Sequence, residues 1–117
     1  MSEEDAEKAI AEQKAAVKAA KFKLRSQIVR TKSGKKAIRS TWTNPTDIKF
    51  DGVEIYRSTK KNIGYGKKPI YVSKSDKYIN TAVKSGKKYY YKVRGFVTID
   101  GEKVYTDWSY KAYRTVK

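Results

Sequence analysis

Beyond residue 21, apolar and polar side chains alternate with a period of two through most of the chain. From Lys88 to Phe96 the residues Tyr89, Tyr91, Val93 and Gly95 fall on one side and Tyr90, Lys92, Arg94 and Phe96 on the other. That is a strand with one face in a core and one mixed face. It opens after Ser85-Gly86, a pair suited to a tight reversal. Upstream, Phe22, Leu24 and Ile28 alternate with Lys23, Arg25 and Gln27, which predicts a first strand covering one side of a sheet. After the turn Lys32-Ser33-Gly34-Lys35, Ile38, Ser40 and Trp42 share a face, and Asn44-Pro45 stops the strand. Trp42 is expected to be the central core anchor, as a large aromatic on an inward position. Asp51-Gly52 turns the chain into a strand with Val53 and Ile55 inward and Glu54 and Tyr56 outward.

The segment from Lys60 to Lys68 holds two glycines and four lysines without a period, and reads as a mobile loop. Pro69 to Ser73 begins with a residue that cannot donate to a ladder, so it reads as an edge strand. Tyr78 and Val83 fit a short strand leading to the Ser85-Gly86 corner. Asp100-Gly101 between two β-rich runs predicts a hairpin, making the strands on either side antiparallel partners. The last run, Val104 to Val116, fits one strand with a kink at Asp107 to Ser109, which leaves the face of Trp108 open. Residues 1–21 follow a different rule. Ser2 and Asp5 form a capping box, acids Glu3, Glu4, Asp5 and Glu7 precede Lys8, Lys14, Lys18 and Lys21, and alanine fills the interior. This predicts a helix with a thin apolar stripe, Ile10 and Val17, acting as a connector or partly frayed arm, or alternatively as a docking helix.

Taken together, Ala37 to Trp42, Asp51 to Ser58 and the run Val83 to Arg94 resemble, in that order, strands of fibronectin type III domains, including the turn-and-tyrosine corner. The resemblance spans about residues 22 to 117, with Val53 and Ser85 standing where Tyr and Pro are commoner in that family. It implies an all-β fold: a seven-stranded fibronectin type III (immunoglobulin-like) sandwich over 22–117, preceded by an N-terminal α-helix or linker over 1–21. In flavour it is similar to the Lys- and Tyr-rich domains of Gram-positive bacterial surface and secreted proteins. The resemblance carries no integrin-binding implication, because Arg94-Gly95 is followed by Phe96.

Composition narrows the chemistry. A chain of 117 residues suits one core, and 28 Lys and Arg against 12 Asp and Glu give a net charge of +16. Residues 1–21 contribute four basic and five acidic groups, so the excess of +17 belongs to the remainder. Without histidine or cysteine, the usual neutral-pH base, the thiol nucleophile and most zinc ligand sets are excluded. The serines follow no nucleophile-elbow pattern, and the carboxylates Asp47, Asp51 and Glu54, and Asp100, Glu102 and Asp107, fall in turns or on strand exteriors. No catalytic residue, metal ligand or cofactor site is assigned. Gly64-Tyr65-Gly66 lacks the Gly-Lys-Ser/Thr of a phosphate loop. No apolar run is long enough for a membrane helix, and the acidic start differs from a signal peptide.

What remains is a candidate binding surface of basic residues interleaved with outward aromatics: Tyr56, Lys60, Lys61, Tyr65, Lys67 and Lys68, with Tyr90, Lys92, Arg94 and Phe96. Its bland alternative is a generally lysine-coated surface, since the lysines occur in every loop. The first expectation is a non-catalytic accessory, spacer or adhesion module of a bacterial surface or secreted protein, contacting other domains of a parent protein, anionic wall polymer or polysaccharide. A second is nucleic-acid binding through the basic sheet face. A third is a phage or particle component in the virion, docked by its helix.

Overall fold

The computed structural model describes residues 2–117. It opens with helix α1, Glu3–Ala19, whose Ser2 N-cap accepts the Asp5 N–H on its Oγ at 3.1 Å, as the capping box requires. Eight strands follow: β1 (Lys23–Arg30), β2 (Lys36–Thr43), β3 (Gly52–Ser58), β4 (Tyr71–Ser73), β5 (Lys77–Asn80), β6 (Lys88–Ile99), β7 (Glu102–Tyr105) and β8 (Ala112–Thr115). They form two antiparallel sheets, β1-β2-β5 and β4-β3-β6-β7, with β8 also pairing β6. Ile38 and Trp42 from one sheet meet Val53, Ile55, Tyr89, Tyr91 and Val93 from the other, so inward side chains of both sheets make one core. Trp42 is 5% exposed within it, the expected anchor. Across the core, Asn80 donates to the Tyr91 hydroxyl at 3.0 Å, satisfying two buried polar groups at once.

The corner before β6 is closed by the Tyr89 hydroxyl, which accepts the Lys84 N–H at 2.9 Å, the tyrosine-corner bond of such sandwiches. Asp100 and Gly101 both have positive φ, 52° and 78°, as a two-residue turn between β6 and β7 demands. Gly95 is required by space: a Cβ there would sit 2.6 Å from the Phe22 ring.

The seven strands expected become eight because the final one is interrupted. Phe96 faces Tyr105 while Tyr91 faces Ala112, so seven residue steps of the last segment run beside five of β6. The surplus is absorbed between Tyr105 and Ala112 by hydroxyls acting as ladder groups. Thr106 Oγ1 accepts the Gly95 N–H and Ser109 Oγ accepts the Val93 N–H, each at 3.0 Å. The backbone of Asp107 and Trp108 is thereby released from the sheet, which is the physical content of the kink expected there.

Other expectations change. Ile28 is 40% exposed, and the inward place beside it in β1 belongs to Ser26, whose hydroxyl bonds that of Ser40 at 2.8 Å inside the sandwich. Val83 lies past the end of β5 and packs against the core from the corner. The helix is docked, contrary to the frayed-arm expectation, through its C-terminal half. Val17 is 2% exposed and faces Val97, Ile99 and Ile48 across a small apolar gap, Lys14 meets Glu102 at 3.3 Å, and the Asp107 N–H bonds the Ala20 carbonyl at 3.0 Å. Among the described residues no helix is long and apolar enough to cross a membrane.

Candidate functional site

The outward face of the larger sheet is built by period two. Lys88, Tyr90, Lys92, Arg94 and Phe96 follow one another along the outer side of β6, flanked by Tyr56 of β3 and Tyr105 of β7. Trp108 completes the face. Freed from the ladder by the interruption, it lays its ring against Tyr56 edge-on, with centroids 5.0 Å apart.

Cations and rings then alternate. Lys103 Nζ lies 4.2 Å from the centre of the Phe96 ring, and the Arg94 guanidinium 3.8 Å from that of Tyr105 and 4.6 Å from that of Trp108. Lys92 Nζ sits 3.9 Å from the Trp108 centroid and 4.5 Å from that of Tyr65, and Lys88 lies over Tyr113 at 4.7 Å. Each contact pairs a positive charge with the negative face of a ring. One carboxylate serves the row. Glu54 is 5% exposed, and its Oε1 accepts from Arg94 Nε at 3.0 Å while Oε2 lies 3.8 Å from Lys103 Nζ. The Tyr56 hydroxyl donates to the same Oε1.

The titration behaviour follows from this packing. Burial is the leading cause holding the Lys92 ammonium below the ordinary lysine pKa, and the positive charges of Lys111 and Arg94 add to it. Burial raises the phenol of Tyr56, with the Glu54 charge reinforcing it, and burial likewise raises that of Tyr65.

The sequence-derived surface is thus only partly assembled. Lys92, Arg94, Tyr90 and Phe96 lie on one half-buried face. Tyr56, expected to be exposed for stacking, is 4% exposed because Trp108, Arg94 and Glu54 cover it. Tyr65 is also buried. Its hydroxyl donates to the Lys61 carbonyl at 2.6 Å and its ring receives Lys92, so the segment expected to be mobile is pinned. Lys60, Lys67 and Lys68 are exposed and, among the described residues, form no ion pair. Glu54, expected on an exposed exterior, is buried.

Trp108, Tyr105 and Lys103 were missing from the sequence-derived surface. The signal for Trp108 was the Asp-Trp-Ser kink, whose consequence depends on hydroxyls reaching β6. Three other carboxylates are engaged locally or across the sheet: Asp51 Oδ2 accepts the Thr98 N–H of β6, Asp107 Oδ1 accepts the Trp108 N–H, and Glu102 pairs with Lys14. Among the described residues no group of three or more acids gathers as a metal site.

A two-sheet antiparallel sandwich with a tyrosine corner, here preceded by one N-terminal helix, is a fibronectin type III-like fold. The chain is similar to the crystal structure of an Fn3-like protein from Clostridium thermocellum, at 28% identity over 85% of this chain and 96% of that one, with a TM-score of 0.57. It also superposes on a β-1,2-glucanase from Parabacteroides distasonis (21% identity, TM-score 0.60) and on the pectate lyase Pel3 from Pectobacterium carotovorum (12%, TM-score 0.54). The matches cover 85% and 81% of this chain but only 12% and 27% of those chains, and at these identities the likeness concerns the fold alone. No family model and no curated protein matches the chain.

Proposed function

We propose that this protein is a non-catalytic accessory module of the Lys/Tyr-rich bacterial surface or secreted kind, holding its neighbours apart and adhering to anionic wall polymer or polysaccharide. The observation that carries this reading is the row Lys88, Lys92, Arg94 and Lys103, seated on aromatic rings along one sheet face with Glu54 as the one buried counter-charge among the described residues. Cations held by rings keep their positive charge and lose side-chain freedom, so a polyanion meets a pre-ordered positive surface. The excess of +17 over residues 22–117 supplies attraction at longer range. The same fold occupies small fractions of two much larger chains, which suits a part that serves a larger whole.

The test is retention on purified cell wall and on an acidic polysaccharide, beside an unrelated sandwich matched for net charge. The module is expected to bind more tightly than the control, with affinity falling steeply as salt rises. Equal retention of both proteins removes the adhesive role and leaves the spacer.

A further inference from the structure

Beside the ladder, the interruption between β7 and β8 opens a depression of about 470 Å3. Four lysines reach it from four separate segments: Lys21 after α1, Lys61 from the β3–β4 loop, Lys92 from β6 and Lys111 from the interruption itself. The ammonium groups of Lys21, Lys92 and Lys111 each have a partner, and Lys61 is placed through its backbone. Lys21 is held over the Tyr110 ring at 4.1 Å and 3.8 Å from Asp107, while Lys111 donates to Asn62 Oδ1 at 3.1 Å. Lys92 is clamped between Trp108 and Tyr65, and the Lys61 carbonyl is tied to the Tyr65 hydroxyl.

Among the described residues Asp107 is the one acid that lines this depression, and it already faces Lys21. Like charges gathered in a partly desolvated hollow repel one another, and an anion entering it relieves that repulsion. At its rim Tyr110 is 80% exposed even with Lys21 over its ring, which leaves aromatic surface of the kind against which the C–H face of a sugar or polyol can pack.

We propose that this depression binds an anionic group, a carboxylate or a phosphate ester, carried on a sugar or polyol backbone. The proposal rests on the adhesive reading above and locates the contact at Lys21, Lys61, Lys92 and Lys111, away from the lysines dispersed elsewhere. Ammonium groups act as point charges without the planar fork of arginine, so both anions fit and the polymer tested decides between them.

The test uses the full chain titrated with polygalacturonate, polyglycerol phosphate, neutral dextran and a single-stranded oligodeoxynucleotide. Two double variants are compared with the wild type: Lys61→Gln/Lys111→Gln in the depression and, as a charge-matched control, Lys32→Gln/Lys35→Gln in the β1–β2 turn. All four side chains are exposed, and thermal melts confirm that each variant folds. The expected result is binding of at least one acidic polymer and none of dextran, weakened about tenfold by the first pair and less than about twofold by the second. Equal losses in both variants overturn the site while leaving adhesion through diffuse charge intact. Tighter binding of the oligonucleotide than of either polymer also overturns the proposal, in favour of a nucleic-acid partner. No binding of any polyanion by the wild type removes the site and the adhesive reading together.

Discussion

The two faces of β6 use the same residue types in opposite ways. On the inner face Tyr89, Tyr91 and Val93 are buried by the apolar side chains of the facing sheet, and the tyrosine hydroxyls find partners in Asn80 and the Lys84 N–H. On the outer face no second sheet arrives among the described residues. Tyr56 is nevertheless 4% exposed, because Trp108, Arg94 and Glu54 cover it. One strand thus carries a core held by hydrophobic burial and a smaller one held by charges on rings. The difference teaches that alternation assigns a side chain to a face, whereas burial depends on what else reaches that face.

The comparison breaks most visibly in the inner core. Trp42→Ala removes the largest inward side chain and is expected to destabilise the fold by about 3–5 kcal/mol, as buried aromatic truncations do. A chemical denaturation curve measures this, and a loss under half that value would take Trp42 out of the core. On the outer face Glu54→Gln leaves Arg94 and Lys103 without their shared counter-charge. About 2–3 kcal/mol is expected, below the figure for a fully buried pair because Arg94 is partly solvated. High salt should narrow the gap between this variant and the wild type while leaving the Trp42→Ala gap nearly unchanged.

Trp108→Ala is expected to cost about 2 kcal/mol, combining lost cation–ring contacts with the uncovering of Tyr56. Its separate signature is a Lys92 ammonium returned towards the ordinary lysine pKa, readable by NMR titration. An unchanged Lys92 would detach Trp108 from the ladder.

The smallest effect is expected from Tyr91→Phe, about 1–2 kcal/mol at neutral pH, since Asn80 Nδ2 loses its acceptor. This variant also sharpens the contrast in pH. Burial pushes the Tyr91 phenol up to about 12 from 10.0, with the Asn80 bond opposing it. The fold therefore favours the neutral phenol, and the resulting stability is complete below pH 10 and lost as the pH climbs towards 12. The raised phenols of Tyr56 and Tyr65 act in the same direction. Lys92 acts in the opposite sense: its folded pKa is depressed, so raising the pH from that value towards 10.5 relieves a penalty. Alkaline unfolding of the wild type should be dominated by the tyrosines, and Tyr91→Phe should flatten it. A slope unchanged by the variant would remove Tyr91 as the main source.

Much of the inner architecture was legible in the chain. The inward set Tyr89, Tyr91, Val93, Val53, Ile55, Ile38 and Trp42 follows from period-two alternation, and the Asp100-Gly101 hairpin and Ser2 cap follow from local backbone chemistry. Such signals act over a few residues, so sequence alone carries them. The candidate site was less legible. Tyr56 and Tyr65 read as exposed because nothing local announces a cover, and Trp108 could not be placed because its face depends on Thr106 and Ser109 bonding a strand more than ten residues away.

The amino-acid sequence by itself determined two sheets, their inward faces, the capped helix and a large positive charge, since each is a matter of periodicity, turn chemistry or counting. Only the tertiary structure decided that the last strand breaks in two, that the helix docks through Val17, and that four lysines from four segments share one hollow. Those outcomes depend on which distant groups meet, and a side chain's own neighbours in the chain do not specify that.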